Sequence, residues 1–209
     1  MITLFIDTST TNLTVALFKD DVLLSKSSVS SMEHSKYAMT EIETLFKKNN
    51  IKPSLVNKIM VLNGPGSFTG VRIGVTIAKI YAWALQINVV PISTLKAYAL
   101  SNSGYDYYVS LIDARRDYLY AGIYDKKYEI VVNDSYITKV ELLEKIKKFD
   151  NILIIGDCNI VDYDVIKNDL NVEKIYNYYK NEEGINPHLL NPVYLKETEA
   201  EEKMGGRND

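Results

Sequence analysis

The sequence predicts an α/β protein made of two similarly ordered halves. Three observations carry this: strand-like runs cluster at the start of the chain and again from Tyr107; stretches with apolar residues three and four apart separate and follow them; and each half runs in the order hairpin, helix, strand. The similarity is one of order, since no residue-level repeat is visible.

Ile2 to Ile6 is a short apolar run, Asp7 to Asn12 is a polar turn, and Leu13, Val15 and Leu17 alternate beyond it, which reads as strand, tight turn, strand. Lys19-Asp20-Asp21 makes a second turn before Val22 to Val29, completing an antiparallel meander. From His34 to Lys48 the period changes, and Ala38, Met39, Ile42, Leu45 and Phe46 fall on one helical face, with Ser30 or Ser31 as the cap. Lys58 to Leu62 reads as a strand, Val71 to Leu85 as a long helix and Asn88 to Ile92 as a strand. After the polar interval 101–104, strand-like runs recur at Tyr107 to Ile112, Tyr118 to Tyr124 and Glu129 to Val132. Thr138 and Glu141 have the spacing of a capping box, with Val140, Leu143, Ile146 and Phe149 at helical spacing behind them. Ile152 to Ile155 reads as a buried strand closed by Gly156. No pattern places residues 171–186, and the charged tail from Glu197, with Gly205-Gly206 near its end, is expected to be mobile in its last few residues.

With 209 residues, 46% apolar and 24% charged, the chain buries a core without staples. Twenty-four basic against 27 acidic side chains leave a formal charge of −3, without the basic footprint of a self-sufficient nucleic-acid binder. One cysteine, Cys158, cannot form an internal disulfide, and the opening MITLFID lacks a basic-then-apolar leader, so a cytoplasmic location is expected. No apolar stretch reaches membrane-spanning length, because Arg72, Gly74, Thr76 and Lys79 interrupt the longest one. Two histidines about 150 residues apart, His34 and His188, compose no zinc spacing, and no metal site is expected.

The segment Gly64-Pro-Gly-Ser-Phe-Thr-Gly-Val-Arg-Ile-Gly74 joins a strand to a helix and reads either as a structural turn or as an anion site. It matches neither the Walker pattern, lacking Gly-Lys-Ser/Thr, nor G-x-G-x-x-G, and no acidic residue ends the next strand. Eleven of the fifteen residues from Val71 to Leu85 are apolar or aromatic, so this helix needs cover on more than one side. Gly74, Ala78 and Ala82, at every fourth place, would admit a second helix, either within the fold or from a partner. Asp7 and Asp113 both follow apolar strands and precede hairpin turns, positions that suit either an Asx turn or a carboxylate facing a cleft. His34 reads as a helix-end histidine, His188 as loop and Cys158 as a passive thiol. The sixteen tyrosines look scattered rather than grouped as a stacking platform.

Ile6-Asp-Thr-Ser9, Glu33-His34, the glycine segment 64–74, Ile112-Asp-Ala-Arg115 and Pro192-Val-Tyr-Leu195, in this order along nearly the whole chain, resemble the TsaB family, also called YeaZ. The glycine segment is specific to that family; the others are individually weak. The resemblance implies an ASKHA fold (actin/Hsp70/sugar-kinase, RNase H-like), two duplicated subdomains with mixed sheets flanked by helices, over residues 1–98 and 99–196 with a charged tail at 197–209. It implies a non-catalytic subunit in bacterial synthesis of N6-threonylcarbamoyladenosine next to the tRNA anticodon, partnering the catalytic TsaD, with the ATPase TsaE joining the pair and tRNA reached only through the complex. Where such a catalytic relative holds its metal with two histidines four apart, this chain has only His34, with Ala38 in the second place. The glycoprotease label sometimes given to the superfamily therefore has no chemical basis here. The family's pairing surface maps onto the first two helices, which puts Ala38, Met39, Ile42, Leu45, Phe46, Gly70, Val71, Gly74, Ala78, Tyr81 and Ala82 forward as partner-binding residues. Arginine at Ala78 or Ile80 is then expected to abolish pairing with the fold intact. Asp7 and Thr8 stand at the first phosphate loop of the fold, Asp113 at the second and Gly156 at the adenosine turn, but the loops lack the usual glycines, so a degenerate cleft with weak or no ATP binding is expected. The chain itself requires no cofactor, ATP and Mg²⁺ acting at the level of the complex, and alone it is expected to be a homodimer. A stand-alone kinase or ATPase of the same fold is the alternative.

Overall fold

The computed structural model describes residues 1–30 and 33–196. Two five-stranded sheets carry the chain. β1 (Ile2–Asp7), β2 (Asn12–Lys19) and β3 (Val22–Ser30) form the antiparallel meander, and β4 (Lys58–Leu62) and β5 (Val89–Ile92) join parallel to β1, in the order β3-β2-β1-β4-β5. β6 (Tyr107–Asp113), β7 (Tyr118–Asp125), β8 (Ile130–Thr138), β9 (Ile152–Gly156) and β10 (Val165–Lys167) repeat that plan as β10-β9-β6-β7-β8. The duplication lies in topology, with the same senses of pairing at the same places.

Period-two alternation sorts the first sheet into two cores. Leu4, Ile6, Leu13, Val15 and Leu17 meet α1 (His34–Lys48) and α2 (Phe68–Leu85) on one face. Phe5, Ala16, Phe18, Met60 and Leu62 on the other face join a core shared with α3 (Thr94–Leu100), α5 (Val172–Tyr179) and the inner face of the second sheet. α4 (Lys139–Ile146) covers the remaining face through Leu142 and Ile146, over Val109, Leu111 and Leu119. Its capping box at Thr138 and Glu141 is present as the spacing predicts, while Val140 points to solvent and Leu142 takes the core position.

Elsewhere the elements depart from the periodicity for identifiable reasons. α2 starts at Phe68, because the Ser67 side chain accepts from the Gly70 N–H and begins the helix earlier than its apolar run. The N-cap of α1 is Glu33, with no side-chain capping bond, and Ser30 belongs to β3; Ser31 and the tail 197–209 lie outside the described residues. β8 continues to Thr138 through Asn133, Asp134 and Ser135, a polar run without alternation. α3 is short and buried all round, so it carries no amphipathic signal, and α5 lies inside 171–186, capped by Asn171.

The segment 185–193 returns to the first sheet. Ile185 exchanges backbone hydrogen bonds with Val89, the Val193 N–H donates to the Asn63 carbonyl, and Leu190 is buried in the core beneath α1 and α2. α5 is tied there too. Tyr176 stacks on Phe18 with centroids 4.1 Å apart, and its hydroxyl donates to Asp21, while Lys58 Nζ donates to the carbonyls of Lys180 and Glu182. Residues 183–195, allotted on sequence to the second half, thus pack on the first.

Candidate functional site

Asp7 ends β1 in the middle of the first sheet, 1% exposed. Its Oδ1 accepts from the Ser9 N–H at 2.8 Å and the Ser9 hydroxyl at 2.6 Å, so the carboxylate closes its own loop. Oδ2 has no partner among the described residues, and burial, opposed by the Ser9 bonds and by His34, pushes the carboxyl up to about 6. The next residue faces the helix: the Thr8 hydroxyl donates to the Gly70 carbonyl at 2.6 Å, and the Ser67 N–H donates to the Ser9 carbonyl at 2.7 Å. The β1–β2 turn therefore lies backbone to backbone on the N-terminus of α2. A Cβ at Gly66 would overlap the Ser9 carbonyl, and one at Gly70 the Thr8 carbonyl. This close approach accounts for the glycine segment, which takes the structural-turn reading.

Asp113 ends β6 in the equivalent place but is exposed. Its Oδ1 accepts from the Arg115 N–H at 2.9 Å, an Asx turn, and its own N–H donates to Asp157 Oδ1. Between the two turns a cleft of about 710 Å³ brings together Thr10, Thr11, His34, Asp113, Tyr120 and Asp157. Asp7, Thr8 and Gly156 do not line it. Gly156 sits at the end of β9 against the Leu111 backbone, and Asp7 and Thr8 lie below the surface, in the interaction with α2. His34 is buried, with Nε2 donating to the Thr10 carbonyl at 2.6 Å, which fits a helix-end role. Among the described residues no group of three or more His, Cys, Asp or Glu is placed to hold a metal ion. Cys158 is half-buried, its thiol pushed up to about 11 chiefly by burial.

The two faces of α2 divide differently from the expectation. Gly70, Val71, Gly74, Ala78 and Ala82 form the inner face, buried against the first sheet, and on α1 Ala38, Ile42, Leu45 and Phe46 are buried in the same core. These residues cannot offer a surface to a partner, and arginine at Ala78 would enter the chain's own core. Small residues at every fourth place seat α2 on β1 and β4, where Gly74 lies against the Thr8 side chain. Of the eleven positions put forward, Met39 is exposed and Tyr81 partly so, its hydroxyl donating to the Pro53 carbonyl. The outer face carries Phe68, Ile73, Ile77, Ile80 and Trp83; Ile80 is 60% and Trp83 61% exposed. Between this face and α1 runs a groove of about 420 Å³ lined by Met39, Phe68, Arg72, Ile73 and Ile77.

Several tyrosines that look scattered in the sequence are gathered by strand register. Tyr120 pairs directly with Tyr136 across β7 and β8, and Tyr118 stacks on Tyr136 at 4.5 Å and 7°. Among the described residues no helix is long and apolar enough to cross a membrane.

A family model described as tRNA N6-adenosine threonylcarbamoyltransferase (TsaD) matches residues 26–191. A Bacillus subtilis protein named tRNA threonylcarbamoyladenosine biosynthesis protein TsaB is 33% identical over 97% of this chain and 97% of its own length. The Escherichia coli protein of the same name is 30% identical over 59% of this chain and 54% of its own. Among solved structures, YeaZ from Pseudomonas aeruginosa superposes with a TM-score of 0.75 over 93% of this chain and 99% of its own, at 23% identity, a likeness of fold. The architecture is the ASKHA fold. With a relative similar over almost its whole length deciding between the two names, the chain belongs to the TsaB (YeaZ) family, whose curated members are named for tRNA threonylcarbamoyladenosine biosynthesis.

Proposed function

We propose that this chain is the non-catalytic subunit of a bacterial tRNA threonylcarbamoyladenosine synthesis complex, binding and activating a TsaD-like catalytic subunit through the outer face of α2 and the adjoining edge of α1. The carrying observation is the apolar outer row of α2, in which Ile80 and Trp83 are exposed and Phe68, Ile73 and Ile77 line a groove with Met39. A contiguous apolar face of this kind, with Arg72 at its edge, has the composition of an interface core. Alone, the chain covers it with a second copy of itself; in the complex the catalytic subunit replaces that copy.

The cleft fits a supporting role. Asp7 and Thr8, at the first phosphate loop of the fold, are occupied by their own turn and by α2, and Asp113 caps a turn. Nucleotide binding at Asp7, Thr8, Asp113 and Gly156 is weak or nil, the chain needs no cofactor of its own, and ATP with Mg²⁺ acts through the complex and its TsaE-like ATPase. tRNA is engaged by the assembly, in the cytoplasm.

The test is light-scattering chromatography of this chain alone and mixed with the TsaD-like protein of the same cell. A homodimer that converts to a one-to-one heterodimer, lost in Ile80→Arg, is expected. No complex, together with ATP hydrolysis by the chain alone that disappears in Asp113→Ala, would overturn the reading in favour of a stand-alone ATPase.

A further inference from the structure

The face of the second sheet that turns toward the cleft changes character along its length. Tyr124 is buried in the core that α3 completes, Tyr120, two turns of the pleat nearer the start of β7, lines the cleft, and Tyr118, one turn further, is 37% exposed. They meet Tyr136 of β8, so three rings form one cluster, with Tyr118 and Tyr136 nearly parallel. Lys196 Nζ stands 5.6 Å from the centre of the Tyr136 ring. Two residues earlier, Tyr194 packs on Phe68 at 5.1 Å, and the Arg72 guanidinium lies 3.7 Å over Phe68 while donating to the Tyr194 hydroxyl. Two residues of chain reach at most about 7 Å, so the two aromatic clusters form one strip across the mouth.

Charges of both signs lie along this strip. Arg115 and Arg116, in the left-handed turn that leads into Tyr118, form no ion pair among the described residues, and neither do Arg72 and Lys196. The neighbouring carboxylates hold partners of their own: Asp117 with Lys139 at 3.5 Å, Asp113 with the Arg115 N–H, Asp157 with the Asp113 N–H, and Glu141 with Thr138. Tyr118, stacked on Tyr136 by one face and 37% exposed, stands beside the exposed Arg115 and Arg116, and this ring with two cations matches a base that stacks and a phosphate that follows it. The hydroxyl-bearing rings here differ from the row of Phe68, Ile73, Ile77, Ile80 and Trp83 that α2 offers to a protein.

We propose that the strip formed by Tyr118, Tyr120, Tyr136 and Lys196, flanked by Arg115 and Arg116, docks a single-stranded loop of RNA. The inference rests on the proposed role in tRNA modification, which supplies the RNA, and it places that RNA on a path from the second sheet toward the partner-binding face of α2. By itself the acidic chain binds RNA weakly, measurably at low salt, and in the assembly the strip is one contact among several.

The experiment uses the heterodimer with the TsaD-like subunit and unmodified tRNA, comparing wild type with Tyr118→Ala, Tyr118→Phe and Lys196→Ala, all outside the α2 face. Tyr118→Ala is expected to weaken tRNA binding about tenfold and Tyr118→Phe to leave it unchanged, because the ring and not the hydroxyl stacks. Lys196→Ala is expected to reduce the salt dependence by about one phosphate contact. Unchanged tRNA affinity in Tyr118→Ala, with the heterodimer intact by light scattering, overturns the proposal. Benzoylphenylalanine in place of Tyr118 gives a second reading: photocrosslinks to tRNA support it, and crosslinks only to the partner protein overturn it by making the strip a protein contact. Should the heterodimer itself fail to form, the proposed function fails by light scattering, while the strip is still tested on the isolated chain with an anticodon stem-loop RNA at low salt. Loss of binding in Tyr118→Ala supports it there, and no binding by wild type or equal binding by both overturns it.

Discussion

The inner and outer faces of α2 are built from the same material and do opposite work. Inside, Gly70, Gly74, Ala78 and Ala82 bring the helix close to β1 and its turn; outside, Ile80 and Trp83 are exposed and Phe68, Ile73 and Ile77 line a groove. The inner row recurs at every fourth residue, the outer one from Ile73 to Trp83 at every third or fourth, and both are apolar. What separates them is side-chain size: small residues occur where backbone must approach backbone, and large ones where a surface is offered. A helix that satisfies its own sheet and still displays an apolar row has two independent sets of constraints, and substitutions on the two faces should break different things.

The sharpest contrast comes from arginine at Ala78. The side chain is fully buried in the core beneath the helix, and an unpaired guanidinium there, with no cavity to receive it, costs on the order of 5 kcal/mol, comparable to the whole stability of a domain. The variant is expected to be insoluble or to lose its cooperative thermal transition. A soluble, cooperatively melting variant would place Ala78 at a surface and reverse the assignment of the faces.

Asp7 tests the inner side by pH. Its carboxyl is raised from 3.8 to about 6, chiefly by burial. A folded value above the unfolded one means that the protonated form favours folding; this contribution is complete below about pH 4 and is lost as the pH rises through about 6. Asp7→Asn keeps an oxygen to accept from Ser9 and has no proton to lose. The stability of wild type relative to Asp7→Asn should therefore fall by about 3 kcal/mol across that window, read from urea midpoints at successive pH values. Equal pH dependence of the two proteins would mean that Asp7 reaches water. Asp113→Asn, at an exposed turn that asparagine also closes, should change stability by no more than about 0.5 kcal/mol at neutral pH.

Gly70→Ala probes the contact between turn and helix directly. The added methyl group meets the Thr8 carbonyl, which is fixed backbone, so the cost is expected at roughly 1–3 kcal/mol, as for other overpacked sites. A thermal midpoint equal to wild type would show that the turn has room to move, and would return the glycine segment to the anion-site reading.

Much of this arrangement is readable from the chain alone, and the exceptions have physical causes. The meander β1 to β3, the bounds of α1 and β4, and the Thr138 capping box all follow from alternation, helical period and cap chemistry. The faces of α2 do not, because Gly74, Ala78 and Ala82 have the same spacing whether they receive the chain's own sheet or a partner helix. Asp7 and Asp113 share a sequence context, yet one is buried beside Ser9 and the other caps an open turn; the difference comes from α2, which lies on the first turn only. α3 and α5 are hidden because elements packed between two sheets lose the polar face that periodicity needs. The tyrosine cluster is invisible for another reason. Tyr120 and Tyr136 are sixteen positions apart and become neighbours only through strand register.

The smallest effect on stability is expected where the effect on assembly is greatest. Ile80 is 60% exposed and borders Trp83 on the outer face, so Ile80→Arg should shift the unfolding free energy by no more than about 0.5 kcal/mol. At the centre of a pairing surface the same arginine would be desolvated without a partner, which costs several kcal/mol and lowers affinity by at least about a hundredfold. The informative result is the combination: an unchanged melting curve with loss of both the homodimer and the TsaD-like heterodimer in light scattering. Loss of the heterodimer alone would separate two surfaces that are here taken as one. Retention of both, with the melting curve unchanged, would leave the apolar row without a protein partner and move the docking face to another part of the molecule.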